Sequence, residues 1–93
     1  MEPAERGPAI EARLRDVLDA VHVEVDDESH LHAGHAGARG GAGHFRALVV
    51  SQRFDGLSRV KAQQLVYAAV SEWMPSEIHA LAIKTLTPAQ WRE

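Results

Sequence analysis

With 93 residues the chain has room for one domain around one modest core. An apolar fraction of 45% and a charged fraction of 25% are those of a folded globular protein and exclude wholesale disorder. Zero cysteines exclude disulfides and any thiolate metal site built by this chain alone.

The net charge of −3 is unevenly spread. Residues 1–29 hold nine acids and three bases, a net of −6; residues 30–93 hold four acids and seven bases, a net of +3. That basic excess is small beside a typical nucleic-acid binder. The opening "MEPAERGPAIEARL" has acids where a secretory signal is basic, and no apolar run is long enough to span a bilayer, so a soluble, cytoplasmic protein is expected.

Ile10, Leu14, Val17, Leu18 and Val21 repeat at the spacing of one helical face, predicting a first helix from about Pro8 to Ala20 behind a flexible stretch of about residues 1–8. "VHVEVD" then alternates, with Val21, Val23 and Val25 on one side, as in a half-buried strand. Residues 28–43 show no periodicity and hold five of the seven glycines, a long His/Gly-rich loop. "HFRALVVS" predicts a second strand, antiparallel to the first. After a turn at Gly56, Ser58 caps a second helix that runs to Trp73 or Met74, with Ala62, Leu65, Val66, Ala69 and Trp73 on its buried face and Pro75 beyond it. "IHALAIKT" predicts a third strand, with His79, Leu81 and Ile83 on one side. Thr87 and Pro88 then open a short last helix carrying Trp91.

The order is α-β-β-α-β-α in a single domain spanning 1–93. The second helix makes a right-handed crossover, so strands two and three are expected parallel. Helices on one face of a three-stranded mixed sheet give a two-layer α/β (α+β) sandwich.

Chemistry concentrates on histidine. Four of the six fall between His30 and Phe45, in "HLHAGHAGARGGAGHF". Imidazole ligates zinc, copper, nickel and iron, so His30, His32 and His35 are candidate ligands, against the plainer reading of a polar loop that tolerates histidine. His44 is expected in a cross-strand contact. His79, within an otherwise apolar strand, reads in isolation as a half-buried ring with a hydrogen-bond partner. "GHAG" at 34–37 matches the KH G-x-x-G but lies between strands, where that motif belongs between helices. No nucleophile–base pair or cofactor cradle is legible, so the chain does not read as an enzyme.

"DESHLHAGHAG", "HFRALVVS", "FDGLS" and "IHALAIKTLTPAQW", in this order and spacing, resemble the BolA-like family from about Ile10 to Trp91, in particular its bacterial-type members. The resemblance implies a class II KH-like fold. It also implies a non-enzymatic adaptor that partners a monothiol glutaredoxin and, with glutathione, shares a bridging [2Fe–2S] cluster in iron–sulfur assembly, trafficking or iron regulation. Alone the protein would carry no cluster and be a monomer or weak homodimer. The histidine of the family's "HALAI"-type strand is a cluster ligand, and His79 occupies that position. A second ligand comes from the loop: His32 matches the spacing after "ES", with His35 and then His30 as substitutes. Family members acting in stress and morphology responses are DNA-binding transcriptional regulators. For that alternative Arg53, Arg59 and Lys61 are the candidate phosphate contacts. Many members carry an Arg-His pair early in the second helix, where this chain has Ala62, Gln63 and Gln64.

Overall fold

A computed structural model describes residues 1–32 and 41–92. Helix α1 spans Pro3–Val17, strand β1 His22–Asp27 and strand β2 Gly43–Val50; helix α2 spans Arg59–Ala69, strand β3 Ile78–Leu86 and helix α3 Pro88–Trp91. Short 3-10 turns cover Ser29–His32, Gln52–Phe54 and Ser71–Trp73. The sheet order is β1-β2-β3, with β1 antiparallel and β3 parallel to β2. This is the predicted α-β-β-α-β-α two-layer arrangement.

The core lies between this sheet and the two long helices. Ile10 and Leu14 of α1 and Leu18 just after it meet Val23, Phe45, Ala47 and Val49 of the sheet, while Ala62, Val66 and Ala69 of α2 meet Ile78 and Leu81. At about 25 cal/mol per Å² this burial is the main favourable term for so small a domain. Residues of opposite parity, including Glu24, Asp26, Arg46, Leu48, Ala82 and Lys84, line an open cleft on the other side of the sheet. Among the described residues no helix is long and apolar enough to cross a membrane.

Several local expectations are corrected. Helix α1 begins at Pro3, not near Pro8, because the Glu5 carboxylate accepts the Glu2 N–H at 2.9 Å and Pro3 occupies the first helical position. Pro8 lies inside the helix and costs it one backbone bond. Val17 and Val21 are exposed: the helix ends at Val17, Asp19 takes a left-handed φ of 50°, and Val21 follows that reversal outside the apolar face. Helix α2 stops at Ala69. The Val70 N–H turns to the Tyr67 carbonyl and the Ser71 hydroxyl donates to the Ala68 carbonyl, tightening the chain into a 3-10 turn before Trp73. Leu65 within α2 and Trp73 in that turn are partly buried, packed against the core. Trp73 instead carries the Arg13 guanidinium 4.2 Å above its ring.

Ser58 and Thr87 cap α2 and α3 as expected, accepting from Lys61 N–H (3.1 Å) and Gln90 N–H (3.2 Å). On the outer strand β3, Tyr67 Oη donates to the Leu81 carbonyl at 2.8 Å, so α2 covers part of that edge.

Candidate functional site

Strand β3 does not alternate regularly at its start. Ile78 and Leu81 are both in the core, a spacing of three that a period of two cannot deliver. The pairing explains it: Gly43 faces Ile78 and His44 faces Ala80, which leaves His79 as one extra residue in a β-bulge. Bulges are rare in parallel pairs and re-aim the side chain they carry. His79 is accordingly exposed, not the half-buried ring sharing a face with Leu81 that the pattern suggested.

The bulge sets His79 beside His44. Their ring centroids are 5.0 Å apart and tilted by 43°. His44 does make the cross-strand contact expected of it, and its partner is the candidate ligand itself. The spacing of 35 residues between the two hides this proximity, which appears only when β2 and β3 pair in parallel.

A network fixes the His44 backbone. Asp27 Oδ1 accepts the Ser29 N–H at 2.9 Å; Ser29 Oγ accepts the His44 N–H at 3.1 Å; and the Glu28 N–H donates to the His44 carbonyl at 2.8 Å. "DES" is thus a clasp across the start of β2. On the other side, the Gly43 N–H donates to the Glu77 carbonyl at 3.0 Å. Gly43 itself is buried, and a Cβ there would lie 2.6 and 2.8 Å from Phe45 ring atoms and 2.9 Å from Ser29 Oγ. Glycine is required by close approach.

Arg6 Nε donates to Glu77 Oε1 at 2.8 Å. This hydrogen bond holds the Glu77 carboxyl below its ordinary range, against a smaller opposing effect of burial and with added help from the N-terminal ammonium. The residue preceding Ile78 is thereby tied to α1.

His30 is exposed in the Ser29–His32 turn, and the backbone of His32 closes that turn, three residues after the Ser29 that clasps His44. His35 and the "GHAG" stretch lie outside the described residues. Among the described residues no group of three or more His, Asp or Glu side chains is arranged to hold a metal ion.

Of the candidate phosphate contacts, Arg53 lies in the Gln52–Phe54 turn, and Arg59 and Lys61 lie in the first turn of α2. Arg53 Nη1 donates to the Val17 carbonyl at 3.1 Å, closing the C-terminus of α1. Arg59 lines a cleft of about 310 Å³ with Gln63, Ile83, Lys84 and Thr85. Lys84 was not singled out from the sequence; its alternation out of β3 was the available signal. Lys61 is exposed on the first turn of α2.

At the far end of the sheet, His22 Nε2 lies 2.6 Å from Glu24 Oε2 and the ring stacks on Trp91, with centroids 4.6 Å apart. Trp91 packs at the edge, 43% exposed.

Comparison with known proteins agrees with this architecture. The BolA-like protein family matches residues 14–90. BolA-like protein 1 of Bos taurus is 46% identical over 85 residues, covering 91% of this chain and 61% of that protein, so the chain spans about three-fifths of that relative's length. A protein of Escherichia coli (strain K12) named DNA-binding transcriptional regulator BolA is 35% identical over 82 residues, covering 88% of this chain and 75% of that one. Among solved structures, the BolA domain of SufE1 from Arabidopsis thaliana superposes with a TM-score of 0.78 at 41% identity, covering 90% of this chain and 93% of that one. With a match over most of its length and the same element order, the chain belongs to the BolA-like family.

Proposed function

We propose that this protein is a non-enzymatic adaptor that binds a monothiol glutaredoxin and, with glutathione, co-ligates a bridging [2Fe–2S] cluster through His79. The observation that carries this reading is the β-bulge, which turns the His79 imidazole outward, away from the core side that Ile78 and Leu81 share. The donor set supports it. A chain without cysteine offers a cluster imidazoles but no thiolate. Thiolates must then come from a partner, and histidine on one iron is sound chemistry, as in Rieske-type centres. A divided ligand set also suits cargo that must be handed on. The loop between β1 and β2 supplies the second ligand in this reading, His32 first, then His35 and His30.

The test is anaerobic reconstitution with a monothiol glutaredoxin and glutathione, followed by visible circular dichroism. Native protein is expected to produce a spectrum distinct from that of glutaredoxin alone, and His79→Ala to abolish it. An unchanged spectrum in His79→Ala overturns the reading.

A second reading, sequence-specific DNA binding, is favoured by the name of the Escherichia coli relative, a DNA-binding transcriptional regulator, and by Arg59 and Lys84 sharing one cleft. Specific binding outlasts nonspecific binding as salt rises; binding that fades uniformly across sequences removes this reading.

A further inference from the structure

We propose that His44 is a positioning residue for His79: its ring is the platform that holds the exposed imidazole in one orientation. The inference rests on the reading of His79 as a cluster ligand. An exposed histidine on a bulge is free to sample rotamers, and any partner that captures it must first immobilise it. Metal ligands are ordinarily oriented by a second layer of contacts that limits this freedom. Among the described residues, the ring contact of His79 is with His44, at a centroid distance within the range of favourable aromatic pairs.

His44 is suited to the task because it is itself held. Its N–H and carbonyl are taken by Ser29 Oγ and Glu28 N–H, and its Nε2 is buried within the protein. The side chain is half-buried while that of His79 is exposed. One residue is thus fixed through its backbone and half-buried, and the other is presented. Parallel pairing with one bulged residue is what makes this possible, since regular alternation would leave residue 79 on the core side with Leu81.

The experiment compares native protein, His44→Ala and His44→Phe, with His79→Ala as control. Phenylalanine keeps a flat ring and removes the nitrogens. In the cluster-free protein, side-chain couplings and ring-proton shifts of His79 report its rotamer averaging. In the reconstituted complex, visible circular dichroism and the rate of cluster loss to a chelator report the ligand. His44→Ala is expected to increase rotamer averaging of His79, alter the spectrum and speed cluster loss by about two- to tenfold, the size expected for immobilising one side chain. His44→Phe is expected to remain near native in both measurements.

Native-like averaging and cluster loss in His44→Ala overturn the proposal. So does a His44→Phe variant as defective as His44→Ala, which would make His44 a ligand through its nitrogen. Failure of the cluster reading itself shows separately, as an unchanged spectrum in His79→Ala, while the rotamer measurement on cluster-free protein still decides the contact.

Discussion

Replacing Gly43 by alanine tests how the site is built. The added Cβ would meet Phe45 Cε2 at 2.6 Å, Phe45 Cζ at 2.8 Å and Ser29 Oγ at 2.9 Å. The backbone at Gly43 is ordinary strand, so the cost is steric and not torsional. Ser29 can rotate away, but its hydroxyl then releases the His44 N–H, a loss of about 1 kcal/mol. Phe45 cannot yield cheaply: it is 2% exposed and packed into the core. Overpacking of this kind costs about 1–3 kcal/mol. Restricting the unfolded chain returns about 0.4–1 kcal/mol, so the net loss should be about 1–3 kcal/mol. For a domain of this size that is a fall in Tm of roughly 4–24 °C.

Urea denaturation followed by far-ultraviolet circular dichroism would read it as a lower midpoint at unchanged slope. The same contacts predict coupling. Phe45→Leu removes the clashing ring atoms, so the double variant should lose less than the two single losses added together. A Gly43→Ala protein within about 0.3 kcal/mol of native would refute the steric account, and with it the close approach that seats His44 at the bulge.

Two further substitutions probe the scaffold. Ser51 is fully buried; its hydroxyl donates to the Leu18 carbonyl at 2.7 Å and accepts the Arg53 N–H at 3.1 Å. Ser51→Ala leaves both backbone groups short of a partner and should cost about 1–3 kcal/mol in denaturant unfolding; a loss indistinguishable from zero would mean water replaces the hydroxyl. Glu77 is bound by Arg6, and its folded carboxyl titrates below its ordinary value of 4.5. A depressed folded pKa contributes stability that is present above the unfolded value and lost as pH falls through the folded one. Glu77→Gln should therefore lower Tm at pH 7, with the gap to native closing as the pH is taken below 4.5. A gap that stays constant down to pH 3 would show that the carboxylate charge is not what Arg6 recognises.

Much of the fold can be read along the chain because the signals are local. The i, i+4, i+8 spacing of Ile10, Leu14 and Leu18, the alternation through β2, and the hydroxyl caps at Ser58 and Thr87 each depend on residues a turn apart. Antiparallel β1–β2 and parallel β2–β3 follow from the connections between them. Element ends were less legible. The start of α1 turned on a carboxylate three residues away, and the exposure of Val17 and Val21 on a reversal at Asp19.

The site divides along the same line. His79 stands out in the sequence as a polar ring in an apolar strand, and the "DES" and histidine-rich segments stand out by composition. That His79 is the extra residue of a bulge, that its ring meets His44, and that Gly43 must lack a side chain are properties of strand pairing. Period-two patterning assigns sides only while the ladder is regular. A one-residue slip is set by partners 35 positions away, whose packing no local pattern encodes.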